Sequence, residues 1–231
     1  MRRLNLCLCF VLAAALSANV MGQDVLTKAA KEKSSAVAPS LGILAGANLS
    51  NQWGPGVTRN RDIALGVNGG IAVPLEFNEH FVLEPEVQYY MKGTAWDTTE
   101  SKGENLSYSI RLQYLEIPVL AKFSVPVTGL VKPYIYLGVS GGTLLAASKG
   151  AWGPGSHRLP FDYSDSVSRV DASVLGGACT HVFVGKGYLI LDGRFIFGLW
   201  DVGRHGRDIH NWTASLEVGY AWKLRKEKQL W

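Results

Sequence analysis

Residues 63–77 alternate. Ile63, Leu65, Val67, Ile71, Val73, Leu75 and Phe77 stand at every second position, and Ala64, Gly66, Asn68, Gly70, Ala72 and Glu76 stand between them. A repeat of two puts the first set on one face of a strand and the second on the other, whereas a helix needs a repeat near 3.6. The pattern returns in 81–92, where Phe81, Leu83, Val87, Tyr89 and Met91 oppose Val82, Glu84, Glu86, Gln88 and Lys92. It returns in 188–200, with Leu189, Leu191, Phe195 and Phe197 against Tyr188, Ile190, Asp192 and Arg194. In 211–224, Trp212, Leu216, Val218, Tyr220 and Trp222 oppose Asn211, Thr213, Ser215 and Glu217. Eight extended segments are expected, at about 40–51, 63–77, 81–92, 107–123, 132–146, 168–184, 188–200 and 211–224. The 26 glycines and the 10% aromatic content fit an all-β chain better than a helical bundle.

One segment departs from strict alternation. Ile110 and Leu112 share one parity, and Leu115, Ile117 and Val119 take the other. A β-bulge near Gln113–Tyr114 would restore the register.

The connections carry a second pattern. NEH (78–80), VPVTGLV (125–131) and GKG (185–187) are short, and polar gaps at about 52–62, 93–106, 147–167 and 201–210 are long. Short and long alternate along the chain, as in an up-and-down barrel whose short turns lie at one end and long loops at the other. Segments of ten or more residues, tilted, are long enough to cross a bilayer. The chain holds no run of about eighteen apolar residues after residue 22, so no transmembrane helix is expected.

Residues 1–22 read as a secretory signal peptide, with Arg2 and Arg3 ahead of the apolar LNLCLCFVLAAALSA and cleavage expected after Gly22. Cys7 and Cys9 would leave with it, and Cys179 alone would remain, so the mature chain has no internal disulfide. Residues 23–39 read as a flexible periplasmic leader, and 40–231 as the barrel domain. The net charge of +4 is small, and no basic cluster is interleaved with stacking aromatics, so a nucleic-acid partner is not expected.

Alternation alone does not say which face of the barrel is outside. A soluble lipocalin-like ligand carrier would turn its apolar face inward, and a membrane barrel turns it outward. Three features favour the membrane. The polar face is rich in small residues such as Gly66, Gly70, Gly177, Ser173 and Ser215, which suit the narrow interior of an eight-stranded barrel. Tyr89, Trp96, Trp200, Trp212, Tyr220 and Trp222 gather towards strand ends, as interfacial girdles do. The sequence ends on an aromatic residue, Trp231, soon after the last segment.

Glu84 and Glu86 lie about 7 Å apart on one strand face. Paired carboxylates in apolar surroundings can act as a general acid and its partner. They can equally line a lumen, where charges require partners. The second reading predicts an ion-pair network of Glu84, Glu86, Arg111, Asp192, Arg194 and Glu217. His205 and His210 share a loop without a zinc-ligand spacing. His181, near Ser173 and Asp171 on one strand, has ingredients of acyl transfer but not the proximity. No catalytic, metal or cofactor site is expected.

LQYLEIPVLAKF (112–123) and KPYIYLGVSGG (132–142) resemble the outer-membrane β-barrel domain common in Bacteroidetes, the group that includes PorT-like proteins. SLGILAGANLSN (40–51) is similar to that domain's first strand, and EVQYYMKG (86–93) to its third. The resemblance implies an eight-stranded antiparallel up-and-down transmembrane β-barrel in the outer membrane. It implies no defined activity. The expected partners are outer-membrane lipid and a protein recognised through loop 147–167 or the periplasmic turns. The alternative is an outer-membrane enzyme acting on lipid or peptide.

Overall fold

The computed structural model describes residues 37–57, 61–99, 105–127, 129–153, 156–203 and 208–224. Residues 1–22, expected to be a signal peptide, and nearly all of the expected leader lie outside the described residues. Ten strands occur among them: β1 (Ala38–Trp53), β2 (Asp62–Ala72), β3 (Leu75–Glu76), β4 (Phe81–Thr99), β5 (Asn105–Ser124), β6 (Val131–Gly153), β7 (Ser156–Asp162), β8 (Val170–Val184), β9 (Gly187–Gly198) and β10 (His210–Lys223).

Strands β1, β2, β4, β5, β6, β8, β9 and β10 form an antiparallel ring in chain order. β10 closes it by pairing along β1 from Ser40↔Lys223 to Trp53↔His210. Closure gives every strand two neighbours, which a bilayer requires because lipid offers no hydrogen bonds to an open edge. β3 is a two-residue spur pairing with β1 and β4. β7 pairs with β6 beyond the ring.

Alternation sorts the side chains. On β1, Leu41, Ile43 and Leu49 are exposed while Leu44, Asn48 and Ser50 are buried. On β9, Leu189, Leu191 and Phe195 face out, and Tyr188, Ile190, Asp192, Arg194 and Ile196 face in. Leu65, Leu137 and Leu216, more than 70% exposed on three different strands, belong to an apolar outer band. Such a band is stable against lipid and would be a liability in water.

The short turns and both ends of the described ring lie together, which makes that end periplasmic. Asn78 shapes the first turn, its Oδ1 accepting the N–H groups of His80 and Phe81 at 2.8 and 2.9 Å. Gly185 takes φ +62° in the two-residue turn between β8 and β9. Close strand approach explains another glycine: a Cβ on Gly66 would lie 1.9 Å from the Met91 carbonyl oxygen.

The outer end differs from the sequence expectation. The stretches 93–106 and 147–167 are mostly strand: β4, β5 and β6 run 19, 20 and 23 residues, and β7 adds 7 more. The described outward residues there include Asp97, Ser107, Ser109 and Arg111, so the apolar alternation fades while backbone pairing continues.

A bulge does lie at Gln113–Tyr114, as expected, but on the partner strand. The β5–β6 ladder shifts between Gln113↔Ala146 and Tyr114↔Leu144, so the extra residue is Leu145 on β6. The β4–β5 ladder runs evenly from Gln88↔Glu116 to Thr99↔Asn105. On β5 the even residues Ile110 to Lys122 all stay buried. What reverses near residue 113 is polarity: Ile110 and Leu112 are inside near the outer mouth, whereas Leu115, Ile117 and Val119 are outside within the lipid band and Glu116 and Lys122 are inside.

Candidate functional site

The inward faces build a lumen filled in three polar layers. In the central layer Arg194 is the hub. Its Nη1 and Nη2 grip Glu86 at 2.7 and 3.1 Å. Its Nε and Nη2 reach Asp192, two residues earlier on β9, at 3.1 and 3.2 Å. Its Nε lies 3.4 Å from Glu217 Oε1, and Nη1 donates to the Tyr90 hydroxyl at 3.3 Å. A guanidinium offers five donors in a rigid fork, which lets one cation serve three carboxylates. Neutral donors finish the layer. Tyr90 and Ser215 donate to Glu217 at 3.0 and 3.4 Å, Gln88 bridges Glu86 and Glu217, and Tyr136 donates to Asp192 at 2.6 Å.

Towards the periplasm, Lys122 pairs with Glu84 at 2.7 Å, and both side chains are fully buried. His181 packs between the rings of Tyr134 and Tyr188, centroids 4.5 and 4.3 Å away, with its Nε2 3.8 Å from Cys179 Sγ. Towards the outside, Lys92 pairs with Glu116 and lies 3.4 Å from Asp171. Asn211 donates to Asp171, Gln52 to Asn211 and Ser140 to Glu116.

An apolar plug lies above the outer layer. Trp96, Ile110, Leu112, Tyr114 and Ala147 from the wall meet Val167, Val202 and Ile209 from the connecting loops. Asp201 holds the last loop in place, its carboxylate accepting the N–H groups of Gly203, Asp208 and Ile209 at 2.8, 3.1 and 2.9 Å. Partial burial pushes this carboxyl up, but the three backbone donors outweigh it and hold the group below the ordinary aspartate range. A cavity of about 270 Å³ remains beside the plug, lined by Gln52, Arg61, Tyr163, Ser166 and Gly203 among others.

Of the six residues expected in one network, the structure gathers Glu86, Asp192, Arg194 and Glu217 around Arg194. Glu84 is buried on the same face of β4 and takes Lys122 as its cation. Arg111 does not join. It has odd parity on β5, faces outward and is exposed, because the parity switch that would have turned it inward does not occur. Lys92, Glu116, Lys122 and Asp171 were missed, although each shares the inward parity of its strand.

The expected girdle is also sorted. Trp96 is 6% exposed, stacked on Tyr108 inside the plug with the Arg61 guanidinium 4.2 Å from its ring, because even positions on β4 point inward. Trp200 is exposed near the outer end, and Trp212 stacks on Phe195. Trp222 is exposed with Tyr220 edge-on to it at the periplasmic end. Tyr89 faces outward at mid-strand, half-buried. His205 lies outside the described residues. Among the described residues no three His, Cys, Asp or Glu side chains are grouped to hold a metal.

Solved structures similar to this chain include Neisserial surface protein A, at 15% identity and TM-score 0.44 over 79% of this chain and 96% of that one. OprG of Pseudomonas aeruginosa is similar at 11% identity and TM-score 0.45, covering 81% of this chain and 97% of its own. Ail of Yersinia pestis, solved with the heparin analogue sucrose octasulfate, is similar at 16% identity and TM-score 0.40, over 80% and 99%. No curated protein matches the sequence. The model of the outer membrane protein beta-barrel domain matches residues 23–203. The chain therefore belongs to the outer membrane β-barrel domain family and resides in the bacterial outer membrane.

Proposed function

We propose that this protein is a sealed outer-membrane anchor that presents an outer sheet, formed by the ends of β4, β5 and β6 with β7, to a protein partner. The role is one of binding rather than catalysis. The observation that carries the reading is strand length. About ten tilted residues cross a bilayer, and β6 has 23, with β7 folded back against its outer end. A barrel that only filled or anchored in the membrane would have no use for that excess. Rigid scaffolds present binding surfaces at such outer segments. Three layers of paired side chains and an apolar plug support a lumen closed to diffusion. Similarity of the YLEIPVL segment (114–120) to PorT-like barrels supports membership of that Bacteroidetes group. Residues 1–22 would direct export, and the leader that follows would stay in the periplasm.

The test combines conductance with capture. The barrel in a planar bilayer is expected to carry no steady current. Affinity capture from outer membranes should retain a specific protein with the intact chain and lose it when residues 149–162 are replaced by a short turn. The shortened barrel should keep its heat-modifiable gel mobility. A steady open conductance, or the same captured protein with both barrels, would sink the proposal.

A further inference from the structure

We infer that Arg111 binds a phosphate of an outer-leaflet lipid headgroup. The outward face of β5 reads Ser107, Ser109, Arg111 and Gln113 towards the outside, then Leu115, Ile117 and Val119 within the lipid band. The border between polar and apolar lies between Gln113 and Leu115. Leu115 lies four positions after Arg111; at about 3.4 Å per residue on a strand tilted about 45°, that is roughly 10 Å along the membrane normal. The polar headgroup layer adds roughly 5–7 Å on each side of the hydrocarbon core, and a long arginine side chain reaches back into it.

The guanidinium also stands clear of competitors. Its neighbour across β4 is Gly93, and across β6 it is Ser148, so no bulky side chain covers it. None of the ion pairs among the described residues includes it. Two carboxylates on the same outward face are engaged elsewhere: Asp97 accepts the Ser107 hydroxyl at 2.6 Å, and Asp162, opposite Ser148 on β7, accepts the Ser164 N–H at 2.8 Å. An exposed cation at headgroup depth meets phosphate, and the guanidinium fork fits two phosphate oxygens at once. The hydroxyls and amide of Ser109, Ser148 and Gln113 on the same face suit the sugar or glycerol part of a headgroup.

The test uses the full mature chain refolded into phosphatidylcholine vesicles. Adding bisphosphorylated lipid A should raise the thermal transition by about 3 °C or more, and dephosphorylated lipid A should not. Arg111→Gln should lose the rise while keeping the transition in phosphatidylcholine alone, and Arg111→Lys should keep part of it. An equal rise for Arg111→Gln, or for the dephosphorylated lipid, overturns the assignment. So does an equal rise from inorganic phosphate in phosphatidylcholine vesicles, which would make this a free-anion site.

Discussion

Replacing Arg194 with methionine removes the cation at the centre of the lumen and leaves Glu86, Asp192 and Glu217 facing one another. The guanidinium and its Glu86, Asp192 and Glu217 partners are fully buried. Removing one member of a buried pair costs about 3–5 kcal/mol, because the remaining charge is stranded away from water. That is a large share of the roughly 5–15 kcal/mol that holds a domain together. The assay is urea unfolding in vesicles, followed by tryptophan fluorescence and gel mobility. Arg194→Met should lose about 3–5 kcal/mol. The quadruple variant with Glu86→Gln, Asp192→Asn and Glu217→Gln should recover most of it, since neutralising both sides of a buried pairing costs little. Raising salt to about 1 M should leave the wild-type midpoint unmoved by screening, because these charges lie out of reach of solvent ions. A single variant that loses less than about 1 kcal/mol, or a quadruple as unstable as the single, would refute the stranded-charge argument.

The periplasmic layer obeys the same logic on a smaller scale: Lys122→Met should destabilise by about 3 kcal/mol and Lys122→Met with Glu84→Gln by much less, read in the same urea series. Gly66→Val should block barrel assembly outright, seen as loss of heat-modifiable mobility, because a Cβ there meets the Met91 carbonyl at 1.9 Å. The loop clamp at Asp201 is depressed in the folded state, so its stabilisation is present above the ordinary aspartate value of 3.8 and is lost as pH falls through the lower folded value. The Gly203, Asp208 and Ile209 amide resonances should therefore shift together below that pH, and Asp201→Asn should abolish the titration. Independent shifts, or none, would count against the clamp.

The barrel was legible because lipid and lumen impose opposite demands on alternate residues, and every outward position of 63–77, 189–199 and 212–224 is apolar, aromatic or glycine. The chain stopped being legible where the surroundings changed and the parity did not. Near residue 113 the outside passes from lipid to water and the inside from charge to apolar plug, so Ile110 and Leu112 resemble the outer residues of the band although they point inward. Arg111 and Trp96 were misplaced for that one reason. Lys92, Glu116, Lys122 and Asp171 could have been found by holding parity fixed along each strand, whatever the hydrophobicity. Their pairing across the lumen could not, because it depends on how far each strand is staggered against partners that are distant in sequence.

The seam between β1 and β10 has a consequence for chain connectivity. The Leu224 N–H donates to the Pro39 carbonyl at 3.1 Å, so the two ends of the ring lie side by side at the periplasmic end. A short linker there, with a new break opened at the Gly185–Lys186 turn, would give a circular permutant with the same cyclic order of neighbours. The seam holds by register rather than by covalent continuity, and any of the periplasmic turns could in principle exchange places with it.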